Sequence, residues 1–210
     1  MKKDWPLWLL MVGTLALGLY LEPRLPAQVP SHWNWRGEVD GYAGRTFAVL
    51  FQPLLTAGLY LLFLVLPRVD PHRANYARFA GTYQVIKVLL VVFLSGMQLA
   101  ILGTALGYVS GPTLFLRLGL PLLFIFFGNV MGQIRHNYFV GIKTPWTLAS
   151  EEVWQRTHRA AARLWVAAGL VGAVGALFPP AIGMPLLIIA LSVAGIVPLV
   201  HSYLLWRRLQ

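Results

Sequence analysis

Six apolar stretches dominate this sequence, and each approaches the length that a helix needs to cross a lipid bilayer. They run over residues 6–20, 47–66, 85–106, 114–131, 160–178 and 182–206. A crossing takes roughly 17–25 apolar residues, so the first stretch is short and the others suffice. Of the 210 residues, 58% are hydrophobic and 11% charged, whereas soluble domains carry about 25% charged residues. No polar stretch is long enough to build a separate core. The expected fold is all-α: a single integral membrane domain over 1–210 with six transmembrane helices. The last two spans meet at Pro179-Pro180, a tight turn, because proline cannot continue the helix it follows. The first stretch follows Lys2-Lys3 as a signal peptide would. However, Leu21-Glu22-Pro23-Arg24 offers no small-residue cleavage site, so it reads as an uncleaved anchor.

Charge orients the bundle. Of the 17 Lys and Arg residues, all but Arg24, Arg36, Arg45 and Arg117 fall on the side of the N-terminus when six spans are threaded. Cytoplasmic loops collect Lys and Arg, so both termini are expected in the cytoplasm. The net charge of +10 then belongs to loops facing anionic lipid, and direct nucleic-acid binding is not expected. There is no cysteine, which removes disulfides, thiolate zinc sites, cysteine nucleophiles and iron–sulfur clusters.

Three polar segments remain: an outer loop motif at 22–46, a cytoplasmic segment at 67–84 and an inner loop motif at 133–159. In the second, Asp70 is placed to cap a helix with Pro71 at its first position. Tyr76, Phe79, Ala80 and Tyr83 fall on one face, which suits an interfacial helix anchored by aromatics and arginines. In the third, Ser150 caps a second interfacial helix, with Glu151 and Glu152 at the positive end of its dipole. Glu152 and Arg156 make an i,i+4 pair, and Val153, Trp154, Thr157, Ala161, Leu164 and Trp165 form a face that runs into the fifth span. Gly103 and Gly107, and Gly128 and Gly132, stand at G-x-x-x-G spacing, and Ala168, Gly172 and Ala176 extend the pattern. Such residues let helices approach closely in lipid, within one bundle or between two copies of the chain.

The only acids are Asp4, Glu22, Glu38, Asp40, Asp70, Glu151 and Glu152. None falls in the middle of a span, which argues against a carboxylate-driven antiporter. P-loop, H-E-x-x-H and G-x-S-x-G motifs are absent, so no catalytic residue is assigned and no cofactor is expected. Arg117, near the outer end of the fourth span, is expected to snorkel to the interface. In the outer loop, Arg36-Gly37 and Asp40-Gly41 suit turns, and Trp33 and Trp35 suit the headgroup level. That loop reads as a compact ordered surface, as a recognition site built on His32, Asn34 and Asp40, or, with Glu38 added, as a metal site. In the inner loop, Pro145 keeps Thr144 out of helical conformation and Gly141 permits a tight turn. Aromatic and basic residues alternate there, as they do at lipid interfaces and at docking surfaces.

Two motifs carry a resemblance. Asn137 with Gly141-Ile142-Lys143-Thr144-Pro145-Trp146-Thr147-Leu148, then Glu152-Val153-Trp154 and Thr157-His158-Arg159, resembles the signature of the SdpI-type immunity protein family. Val29-Pro30-Ser31-His32-Trp33-Asn34 with Gly37-Glu38-Val39-Asp40-Gly41-Tyr42 resembles the domain of unknown function that often precedes it. Both stand in the family's usual order. One position departs: Lys143 stands where the family commonly has Arg, which keeps the charge and gives up a bidentate contact. The resemblance implies a multi-pass protein of the bacterial cytoplasmic membrane that protects its producer from a secreted peptide toxin. It also implies capture of an ArsR-type repressor at the inner face. On that reading His32, Asn34, Gly37, Glu38, Asp40 and Gly41 meet a peptide or envelope ligand. Asn137, Gly141, Lys143, Thr144, Pro145, Trp146, Thr147, Trp154 and His158 shape the docking surface. Two other readings stay open: a small transporter of an amphipathic compound, which needs a polar cavity across the membrane, and a membrane enzyme with a metal at His32.

Overall fold

The computed structural model describes residues 4–34, 38–109, 111 and 113–210. Helix α1 (Trp5–Leu21) ends in a 3-10 turn (Glu22–Arg24) whose Glu22 carboxylate accepts from the Thr46 hydroxyl at 2.6 Å. The outer motif then forms a two-stranded antiparallel ribbon, β1 (Gln28–Trp33) and β2 (Val39–Gly44). The fold is nearly all-α, as expected, with this one hairpin added. Pro30 is tolerated because a two-stranded ribbon leaves half of each strand's backbone groups unpaired. Val29 is fully buried and packs with Leu25, Ala48, Val49 and Leu102, which seats the ribbon on the ends of the helices below it.

Helix α2 (Arg45–Val69) begins at the residue after β2. It returns through a 3-10 segment (Arg73–Phe79) into α3 (Ala80–Ala105), and α1, α2 and α3 pack together. The expected interfacial helix at 67–84 is corrected in two respects. Asp70 does not cap it; His72 precedes its first residue. Its aromatic face turns inward: Tyr76, Phe79 and Tyr83 are buried with Met131, Ile134 and Trp154. Those rings have a protein surface to cover, so they are not spent on lipid.

The second half comprises α4 (Thr113–Met131), short α5 (Pro145–Ala149), α6 (Glu151–Gly175) and α7 (Pro180–Arg208). Ser150 caps α6 as expected, its hydroxyl accepting from the Val153 N–H. Helix α6 packs against both α4 and α7. Its crossing with α4 is backbone to backbone: a Cβ on Gly128 would lie 2.8 Å from the Val166 nitrogen and 2.9 Å from the Ala162 carbonyl. The Gly128 face is thus used inside the chain. Arg117 does not merely snorkel; its guanidinium donates to the Ala176 carbonyl at 2.7 Å and to the Phe178 carbonyl, closing the end of α6. Among the described residues, five helical segments are long and apolar enough to cross a membrane, including Trp5–Arg24, Arg73–Ala105 and Pro180–Arg208. Helix α6 is outside that set because its first half carries Glu151, Glu152, Arg156, Arg159 and Arg163. The fifth expected span coincides with its apolar second half.

Candidate functional site

The inner motif folds as a cage of buried polar groups, most of them hydrogen-bonded to one another or to backbone, with His72 Nδ1 and the Thr157 hydroxyl left without a hydrogen-bond partner among the described residues. Asp70, buried to 2% exposure, stands at its centre. One carboxylate oxygen accepts from the His72 N–H at 2.7 Å; the other accepts from the Tyr76 hydroxyl at 2.9 Å and the Tyr138 N–H at 3.0 Å. Asn75 donates to the His136 carbonyl at 2.8 Å. The segment after α2 is thereby tied to the segment after α4. Asn137 is fully buried and uses its whole bonding capacity: its amide donates to the Arg135 and Val140 carbonyls, and its oxygen accepts from the Phe139 and Val140 N–H groups. Thr144 and Thr147 close a capping box at α5, and the Thr144 hydroxyl lies 3.1 Å from that of Ser202 on α7.

His158 is fully buried and stacks on Trp154, with ring centroids 4.1 Å apart. Its Nδ1 lies 2.8 Å from the Trp154 carbonyl, so Nδ1 carries the proton and donates. Nε2 then accepts from the Ile142 N–H at 2.9 Å. Gly141 precedes that donor with φ +125°, and a Cβ there would collide with His158 Nε2. The Trp154 indole donates to the Ile134 carbonyl at 2.9 Å, and His136 Nε2 lies 3.1 Å from the Leu148 carbonyl.

Both imidazoles are held neutral. Burial pushes His158 down to about 4, against the bond to Trp154. Burial, with His72 beside it, lowers His136. A histidine whose folded value lies below its unfolded value binds fewer protons when folded. Its stabilisation is complete above about 6.5 and drains as pH falls from there towards the folded value. At pH 5 the cage should therefore lose roughly 2 kcal/mol through His158 alone. Amide protection factors over 136–158, taken relative to the intrinsic exchange rate at each pH, should fall at pH 5 relative to pH 7 while those in the middle of α7 are unchanged. Equal protection at the two pH values would contradict the neutral tautomer assigned here.

On the opposite end, the hairpin is exposed and its pairs are local. His32 Nδ1 and an Asp40 carboxylate oxygen form an ion-pair contact, and both side chains face solvent. Asn34 donates to the Glu38 carboxylate at 2.9 Å and accepts from its N–H at 3.1 Å. Gly41 lies opposite His32, where a Cβ would stand 2.9 Å from that of His32. Gly37 lies outside the described residues. Among the described residues, no group of three His, Asp or Glu side chains converges as metal ligands would.

The two predicted clusters are therefore each brought together, but differently. His32, Asn34, Glu38, Asp40 and Gly41 gather at the turn end of the ribbon. In the inner set, Asn137, Thr144, Thr147, Trp154 and His158 are buried, whereas Lys143 and Pro145 are exposed. Trp146 is half-buried beside Tyr203 and Trp206. Sequence reasoning missed Asp70, His72, His136 and Ser202 as members of the inner cage. A buried acid next to two tyrosines at helical spacing was the available signal for Asp70; none existed for Ser202. A cavity of about 650 Å³ between α3 and α4 is lined by apolar side chains such as Leu99, Phe115 and Leu122, which is not the polar path a transporter needs.

Residues 133–202 match the model of the SdpI/YfhL protein family, and residues 9–57 match the Domain of unknown function (DUF1648). The chain is 24% identical over 210 residues to the "Immunity protein SdpI" of Bacillus subtilis (strain 168), an alignment covering 100% of this chain and 99% of that protein. No solved structure matches the chain.

Proposed function

We propose, on the premise that the chain belongs to the SdpI/YfhL protein family, that it is an immunity protein of the bacterial cytoplasmic membrane. The observation that carries this is the end-to-end similarity to a protein named for immunity, with both motifs in order. The finer reading is that the hairpin meets a secreted peptide toxin on the outer face and the inner loop recruits an ArsR-type repressor. Exposure supports that division. His32 and Asp40 present a paired imidazole and carboxylate on the exposed ribbon. On the inner face the buried cage fixes the backbone, and the side chains left for a partner are Tyr138, Phe139, Lys143 and Pro145. In this reading Asn137, Trp154 and His158 act on docking by holding its shape. Both termini in the cytoplasm and a membrane crossing by the second half of α6 complete the proposed topology. The chain carries no assigned catalytic role.

The test is survival of a toxin-sensitive bacterium expressing the protein and challenged with secreted peptide toxins. The wild type should protect. Asp40→Ala should lower the tolerated dose by about tenfold, the scale of one lost interfacial contact. Lys143→Gln should keep protection and fail to draw a co-expressed repressor to the membrane fraction. A wild-type protein that protects against no toxin would overturn the immunity reading.

A further inference from the structure

All seven acids of this chain are already engaged. Asp4 pairs with Lys87, Asp40 with His32, Glu151 with Arg78 and Glu152 with Arg156. Glu22 takes the Thr46 hydroxyl, Glu38 the Asn34 amide, and Asp70 the Tyr76 hydroxyl and two backbone N–H groups. None remains for Arg159 and Arg163 on α6, and among the described residues neither has an ion pair. Both are exposed. Their spacing places them on one stripe of the helix, the stripe that faces α4: the Arg159 stem crosses Gly132, where a Cβ would lie 3.5 Å from Cγ. Arg163 stands one turn further along, where the charged first half of α6 meets its apolar second half. A guanidinium there is costly without a counter-charge. Directly beyond it, α4 and α6 enclose a groove of about 430 Å³ lined by Gly128, Asn129, Ala162, Val166, Ala167 and Leu170.

We propose that this groove binds one anionic phospholipid of the leaflet next to the inner loop. Arg159 and Arg163 hold its phosphate, and an acyl chain lies along the small residues of the α4–α6 seam. The missing anion must come from outside the chain, and at this depth lipid headgroups supply it. Basic pockets between membrane helices on the cytoplasmic side take acidic headgroups in this way. The groove below the arginines is apolar, so the ligand is a lipid and not free phosphate. The Asn129 oxygen, whose amide is committed to the Ile125 carbonyl, can accept from a glycerol hydroxyl of the headgroup.

The experiment is native mass spectrometry of the purified full-length protein in neutral detergent, titrated with phosphatidylglycerol or phosphatidylcholine. The wild type should retain a single phosphatidylglycerol in about 25-fold preference, given about one factor of five for each of the two arginines. Arg159→Gln with Arg163→Gln should remove that preference. Arg159→Lys with Arg163→Lys should keep most of it. Ala167→Trp, which fills the exposed groove, should reduce retention of both lipids. Arg207→Gln with Arg208→Gln should leave the preference unchanged, since those residues lie at the end of α7. Equal retention of the two lipids by the wild type overturns the proposal. So does an unchanged preference in the glutamine pair, an equal loss in the Arg207/Arg208 pair, or displacement of the lipid by equimolar inorganic phosphate.

Discussion

Replacing Gly141 by Ala should cost about 3 kcal/mol or more of stability. Two independent penalties meet there. The residue has φ +125°, a backbone conformation that side chains rarely adopt, and the new Cβ would be driven into His158 Nε2. That nitrogen is the acceptor for the next residue's N–H. Relieving the clash therefore leaves a buried donor and a buried acceptor without partners, each at about 1–3 kcal/mol. Thermal unfolding in detergent, followed through Trp154 fluorescence, reads the effect. Gly195→Ala on α7, where nothing lies within 4 Å of the added carbon, is the matched control and should be neutral or slightly stabilising. Similar melting temperatures for the two variants would mean that the cage is not built as described.

Lys87→Met should be nearly as harmful, at about 3–5 kcal/mol. Lys87 Nζ donates to Asp4 at 2.9 Å, with both side chains buried to under a tenth of their surface. Removing the cation leaves the carboxylate with only the Tyr60 hydroxyl at 2.8 Å and the Gln84 amide at 2.6 Å. An uncompensated charge at that depth is the dominant penalty, not the loss of attraction. The double variant Asp4→Asn with Lys87→Met should therefore be more stable than Lys87→Met alone. A double-mutant cycle with no coupling between the two positions would sink the pair.

The parts readable in advance were those governed by local rules. Hydropathy placed five of the six expected spans on described helices long and apolar enough to cross a membrane, because an apolar helix in lipid announces itself within its own residues. Ser150 before two glutamates marked the start of α6, and Pro145 marked the extended conformation of Thr144; the short helix α5 was not read from the sequence. The hairpin was harder. Its strands contain Pro30, and its register is irregular around His32, so the alternation that marks a half-buried strand is broken at the residue most open to functional reading. The inner motif looked like a surface because Asn137 and His158 are polar. Their burial depends on backbone partners, such as the Ile142 N–H and the Val140 carbonyl, that only the folded turn brings within reach. Asp4 and Lys87 lie 83 residues apart, and no local pattern links them.

Helix α2 has one further consequence. It starts immediately after β2 and runs unbroken for 25 residues to Val69, where Asp70 enters the inner cage. At 1.5 Å per residue it spans roughly 37 Å. The hairpin and the cage are thus the two ends of one pushrod, with no flexible joint between them. A force that tilts the ribbon arrives at Tyr138 as a change in the angle of a single beam. Pro53, buried within that beam, and Pro67 near its inner end are the points along it where a bend would absorb the stroke.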